Sequence, residues 1–229
     1  MKITTTFDVI IVGGGLAGLT SAIHLSTRKK RVLLIEKNEY PKHKVCGEYI
    51  SNEVLPYLNS LGINPINEGA KQITKVHIST TKSNLIKGEL PLGGFGMSRY
   101  FLDNLLVKKA QLNGVQILKD TVDSIHFKKD SFTITTKSSG VFQSKITIGA
   151  FGKRSSLDQK MKRKFIQKKS PYLAVKIHVK GVFPENLVAL HNFKGGYCGV
   201  SKVENNAINL CYITSYAAFK KHKNINDFQ

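Results

Sequence analysis

Near the start of the chain Gly13-Gly14-Gly15-Leu16-Ala17-Gly18 spells G-x-G-x-x-G, and an acid, Glu36, follows its last glycine by 18 positions. This combination suits a dinucleotide. The first glycine permits a tight turn, the second lets backbone approach a pyrophosphate, and the third lets a helix pack closely on a strand. A helix that begins there offers free N–H groups and a positive pole to phosphate. A carboxylate at the end of the next strand accepts hydrogen bonds from ribose hydroxyls and repels a 2′-phosphate, which disfavours NADP at this site.

A lone glycine pattern is a weak signal, so the elements around it decide. Phe7 to Val12 is a short apolar run ended by glycines and reads as a buried parallel strand. Leu16, Leu19 and Ile23 recur at helical spacing to about Thr27, and the cations Arg28 to Arg31 stand where that helix's negative pole falls. Val32 to Ile35 reads as a second buried strand ended by Glu36. Strand, helix and strand make a βαβ unit, and Gly13, Gly14, Gly15, Leu16, Ala17, Gly18, Glu36 and Lys37 become its cofactor-binding candidates.

Further along, Ser51 is placed to cap a short helix running to about Leu61. Residues 73–98 read as two or three strands with turns at Gly88 and Gly93-Gly94. Ser98 caps a helix whose apolar stripe is Leu102, Leu105, Leu106 and Leu112, ended by Asn113-Gly114. Val115 to Leu118, Val122 to Phe127, Phe132 to Thr136 and Val141 to Ile148 read as strands, the last three as a meander. About four more strands follow between Tyr172 and Thr214, then a helical tail.

The net charge of +20 rests on 35 basic and 15 acidic residues. Only five of the cations are arginines, and the densest run, Lys153 to Lys169, holds a single aromatic, Phe165. Lysine is a hydrated point charge without the planar fork of arginine, and no stacking platform is visible, so nucleic acid is not an expected partner. Most of this charge reads as solvated surface, with peripheral attraction to an anionic membrane as the alternative. Cys46, Cys198 and Cys211 form no C-x-x-C, and the histidines show no ligand spacing, so neither a disulfide framework nor a metal site follows. No apolar run reaches membrane-spanning length, and the expected location is cytoplasmic.

Four segments occur in order: Asp8 to Gly18; Tyr40-Pro41-Lys42-His43-Lys44-Val45-Cys46-Gly47-Glu48; Ser98-Arg99-x-x-Leu102-Asp103; and Gly149-Ala150-Phe151-Gly152-Lys153-Arg154-Ser155. In them the sequence resembles the geranylgeranyl-reductase-related branch of the para-hydroxybenzoate-hydroxylase-like flavoproteins. The resemblance implies FAD as cofactor and an α/β fold: a Rossmann-like FAD-binding domain with a β-meander (1–65 and 99–165), plus an incomplete α+β, mixed-sheet substrate domain (66–98 and 166–229). It places Lys44, Cys46 and Gly47 close to the flavin, with Cys46 as the catalytic candidate. It sets Arg99 at the ribityl or phosphate region and Val122 at the adenine edge. Gly152 belongs to a second motif, G-A-D-G, in which Phe151 here replaces the acid. Gly196, Tyr197 and Cys198 would face the flavin across a substrate pocket.

The activity implied is that of an FAD-dependent oxidoreductase, a reductase or monooxygenase acting on a hydrophobic small molecule such as an isoprenoid, polyketide or aromatic. With no second dinucleotide loop, NAD(P)H would serve as a transient electron donor. The third motif of similar proteins, G-D-A-A-G, is missing. The chain therefore reads as shortened, with a second polypeptide expected to supply the remainder. The competing reading is a non-catalytic nucleotide-binding fragment or subunit.

Overall fold

A computed structural model describes residues 5–153, 155–168, 170–222 and 224, so Arg154 and Lys169 of the basic run lie outside the described residues. The chain opens with β1 (Thr5–Val12), α1 (Leu16–Thr27), β2 (Val32–Glu36), β3 (Tyr49–Ser51), α2 (Leu55–Ser60), β4 (Lys71–Ser79) and β5 (Leu85–Gly96). It continues through α3 (Arg99–Leu112), β6 (Gln116–Lys119), β7 (Val122–Lys128), β8 (Ser131–Thr136), β9 (Val141–Gly149) and α4 (Ser156–Lys160). The last elements are β10 (Tyr172–Val179), β11 (Leu187–Phe193), β12 (Gly196–Lys202), β13 (Ile208–Ser215) and α5 (Tyr216–Phe219).

Two compact units result, Met1–Lys42 with Asp103–Lys169, and His43–Leu102 with Ser170–Gln229. The first is built on a six-stranded sheet in the order β6-β2-β1-β9-β8-β7. Strands β6, β2, β1 and β9 run parallel, and β9, β8 and β7 form the antiparallel meander. Parallel strands are covered on both faces, which is why β1 and β2 read as continuous apolar runs rather than alternating ones. Phe7, Ile10, Val12, Leu33 and Ile35 pack with Val122, Ile134 and Leu157 in one buried cluster. Helix α1 buries Gly18, Leu19, Ala22 and Ile23, one stripe at helical spacing.

The second unit carries a seven-stranded mixed sheet in the order β10-β13-β12-β11-β4-β5-β3. Residues 43–65 belong to it and not to the first unit as the sequence had indicated. The reason is pairing: Tyr49 to Ser51 lie antiparallel to Gly94 to Gly96 of β5, and Asn209 of β13 donates to the carbonyls of Cys46 and Gly47. The β4–β5 turn falls at Thr80–Asn84 rather than at Gly88, which sits inside β5 opposite Val76. The Thr80 hydroxyl accepts from the amides of Lys82 and Asn84 and closes that turn without a glycine. Ser98 caps α3 as expected, its hydroxyl accepting from the Phe101 amide at 3.0 Å. The buried face of α3 is Leu102, Leu106, Val107 and Ala110, whereas Leu112 is 84% exposed.

Candidate functional site

The glycine loop sits at the carboxyl ends of β1, β2 and β9. The Gly13 amide donates to the Ile35 carbonyl and the Ala150 amide to the Val12 carbonyl, both at 2.8 Å, so the loop is gripped from both sides. Gly13 has φ +104°, which only glycine adopts without strain, and a Cβ there would come within 2.4 Å of the Ala150 carbonyl oxygen. A Cβ at Gly18 would lie 1.9 Å from the Gly13 carbonyl oxygen. Helix α1 starts from Gly15 with no side chain capping its first amides. Those amides, on Leu16, Ala17 and Gly18, present the positive end of a twelve-residue helix to a phosphate.

Glu36 is turned into this loop. One carboxylate oxygen accepts from the Gly14 amide at 2.7 Å, and the other accepts from the Asn38 amide and side chain at 2.9 and 2.6 Å. Gly14 is also covered by Tyr40, whose hydroxyl donates to the Gly14 carbonyl at 2.6 Å. Beside the loop lies a cavity of about 100 Å³ whose wall includes Gly13, Glu36, Lys37, Val122, Phe151 and Ser155. Four of the sequence-derived candidates thus meet in one place: Gly13, Glu36, Lys37 and Val122. Gly14, Gly15, Leu16, Ala17 and Gly18 form the adjoining turn. Gly152 follows with φ +73° and does not line the cavity, whereas Phe151 does. The Phe151 ring packs on the core cluster and gives an apolar wall where the resemblance leads one to expect an acid.

An acid does line this cavity, and no motif marked it. Asp120 follows β6, its amide bonded to the Glu36 carbonyl, and its side chain accepts from the amides of Thr121, Ser138 and Ser139. Burial pushes its carboxyl up, but these bonds and the hydroxyls of Ser139 and Thr136 outweigh it and hold the carboxyl far below the usual carboxylate range. A carboxylate depressed in the folded state contributes stability above its unfolded pKa of about 3.9, and that contribution is lost as pH falls further. Asp120→Asn should therefore cost about 2 kcal/mol near neutral pH, with the gap from wild type closing below about pH 4. Urea unfolding at pH 6 and pH 3 checks this, and a gap that stays constant would refute it.

In the second unit, Glu48 is fully buried and left-handed at φ +55°. Its carboxylate accepts from the Arg99 amide at 2.9 Å and pairs with Lys176 and His178, each at 2.6 Å. His43 stacks on Tyr100 and meets the edge of His178. Burial, with Lys176 and His178 beside it, pushes the His43 imidazole below its ordinary value. The Glu48 amide donates to the Cys46 sulfur at 3.4 Å. Beside this set an apolar cavity of about 330 Å³ is lined by Gly47, Val76, Leu190, Tyr197 and Cys211, among others. Burial first, then Cys46, Cys198 and Glu48, push the Cys211 thiol up to about 11, so it stays protonated and unreactive.

Gly47 and Tyr197 therefore share a cavity, but Gly196 and Cys198 do not line it. Cys198 packs with Ala189, Val200 and Ile208 on the reverse face, since neighbouring strand residues point to opposite sides. Gly196 is closed in by the Ile213 carbonyl and the Phe193 ring. Lys44 is half-buried on the Cys46 loop, and the backbone of Arg99 is committed to Glu48.

The glycine cradle, the acid beside it and the adjoining cavity fit the ADP half of FAD on their own geometry. Comparison with known proteins agrees. Residues 8–45 match the family model described as FAD dependent oxidoreductase. The FAD-dependent monooxygenase cle3 of Aspergillus versicolor is 32% identical over 175 residues, covering 69% of this chain and 35% of that protein. A digeranylgeranylglycerophospholipid reductase of Methanothermobacter thermautotrophicus is 30% identical over 162 residues, 66% of this chain and 40% of that protein. The chain thus spans well under half the length of these relatives. Among solved structures, p-nitrophenol 4-monooxygenase PnpA of Pseudomonas putida superposes with a TM-score of 0.80 at 18% identity, over 96% of this chain and 61% of that one. A geranylgeranyl bacteriochlorophyll reductase-like protein of Thermoplasma acidophilum gives 0.77 at 18% identity, over 98% and 59%. No described helix is long and apolar enough to cross a membrane. With its glycine loop, its acid and its two-sheet fold, the chain is similar to FAD-dependent oxidoreductases, geranylgeranyl reductase-like and monooxygenase flavoproteins among them.

Proposed function

We propose that this chain provides the FAD-binding part and much of the substrate wall of an oxidoreductase that reduces a carbon–carbon double bond in an isoprenoid-like molecule. The observation that carries this reading is the apolar cavity of the second unit, walled by Val76, Leu90, Val188 and Leu190. Its apolar lining favours a hydrocarbon and offers little to a charged substrate. The reductases among its relatives, named for a digeranylgeranyl lipid, support it.

Gly13 to Gly18 and the first turn of α1 would hold the diphosphate, Glu36 and Lys37 the ribose, and Val122 the adenine edge. Bound FAD supplies hydride transfer, which is the cofactor's own chemistry. The chain's residues position it and exclude water. Cys46 is the candidate contact at the reacting end: its sulfur is fixed by the Glu48 amide and its carbonyl by Asn209. In this reading the Cys46 thiol would give a proton to the second carbon of the double bond. NAD(P)H would deliver reducing equivalents transiently.

The test begins with the purified protein, which should show the two flavin absorption bands and release FAD on denaturation. Release of NAD, or of no nucleotide after soaking with FAD, would sink the reading. With a geranylgeranyl lipid and a reductant in the absence of oxygen, the product should gain two hydrogens. A second reading, hydroxylation, is favoured by the resemblance to cle3. It predicts an oxygen-dependent gain of one oxygen atom instead.

A further inference from the structure

We propose that Tyr40 is a positioning residue for the diphosphate: its hydroxyl sets the direction of the Gly15 amide. The inference rests on the reading that the glycine loop holds a diphosphate.

The middle glycine, Gly14, is the free position of the G-x-G-x-x-G pattern, where many residues are tolerated in principle. Here any side chain would displace the Tyr40 hydroxyl. A Cβ on Gly14 would lie 1.7 Å from the tyrosine hydroxyl and 3.0 Å from the Glu36 Cβ. Both polar groups of Gly14 are taken by side chains far along the chain. Its N–H goes to Glu36, 22 residues on, and its C=O to Tyr40, 26 residues on.

The peptide unit is planar and trans. Pinning the Gly14 carbonyl toward Tyr40 therefore turns the Gly15 N–H, in the same plane, the opposite way. The Glu36 bond fixes the preceding plane, between Gly13 and Gly14, in the same manner. Three consecutive glycines have wide backbone freedom, so without these anchors the loop would sample many orientations before meeting a ligand. Glu36 is read by the sugar as well as by the loop. Tyr40 meets the loop at the Gly14 carbonyl.

Isothermal titration with ADP and with adenosine separates this role from simple support of the fold. Tyr40→Phe should weaken ADP about tenfold, the loss expected for one well-placed hydrogen bond. It should leave adenosine affinity unchanged and lower the melting temperature by only a few degrees, the cost of one intramolecular hydrogen bond. A second measurement uses Gly14→Ala, which should abolish ADP binding, and the pair Gly14→Ala with Tyr40→Phe. Removing the hydroxyl makes room for the methyl group, so the pair should bind ADP more tightly than Gly14→Ala alone. Equal weakening of ADP and adenosine, a lowered melting temperature with both ligands affected, or unchanged ADP affinity would each overturn the proposal. If the wild type binds neither ADP nor FAD, the reading of the loop fails and the role of Tyr40 falls with it, whereas unchanged ADP affinity in Tyr40→Phe alone overturns only the role of Tyr40.

Discussion

Glu48→Ala is expected to destabilise the second unit by about 3–5 kcal/mol, the usual cost of breaking a buried ion pair from one side. Lys176 is only 5% exposed and loses its counter-charge, while Glu48 itself has no exposed side-chain surface. The Arg99 amide and His178 lose their acceptor in the same step. Whole domains are stable by roughly 5–15 kcal/mol, so the variant stands near the edge of folding. Urea unfolding followed by circular dichroism measures the shift. A companion variant identifies the cause: Glu48→Leu with Lys176→Met removes both charges and should recover most of the loss, because two apolar groups leave no orphaned ion. A shift below about 1 kcal/mol for Glu48→Ala would show that water reaches Lys176 after all.

The second large effect belongs to Gly18. Gly18→Val should lower FAD affinity by at least about a hundredfold, because the loop loses the geometry on which its phosphate contacts depend. The added Cβ meets the Gly13 carbonyl at 1.9 Å, a backbone atom with no rotamer to escape into. Gly13 is held from retreating, since its amide is bonded to the Ile35 carbonyl and the Ala150 carbonyl lies beside it. Helix α1 must therefore move off β1. Quenching of flavin fluorescence on titration gives the affinity, and retention within about tenfold of wild type would contradict the argument.

What could be read from the sequence divides along a physical line. The strand, loop, helix and strand from Phe7 to Glu36 were legible because each depends on neighbours within a few residues: apolar runs, a helical stripe, glycines at a fixed spacing. The meander and the four late strands were legible for the same reason. The partners of Glu48 were not, because Lys176 and His178 stand 128 and 130 residues away and carry no motif. Asp120 was missed because its function is defined by amides of a turn 18 and 19 residues on. Tyr197 and Cys198 were grouped in one pocket, although neighbouring residues of a strand face opposite sides. A strand's two faces are told apart only by what pairs beside it, and one step of register exchanges them. Tyr40 could have been suspected from Gly14, since a glycine at a free position of a motif signals crowding.

The cavity beside the glycine loop draws its wall from residues 12–13, 35–37, 120–122, 151 and 155–157. Synthesis supplies these in that order, with β9 added to the edge of β1 more than a hundred residues after β1 itself has emerged. The nucleotide seat is thus finished late on the ribosome, once Ala150 can close on Val12. Until then β1 exposes an unpaired parallel edge, which is the slowest kind of strand to satisfy and the one most in need of protection while it waits.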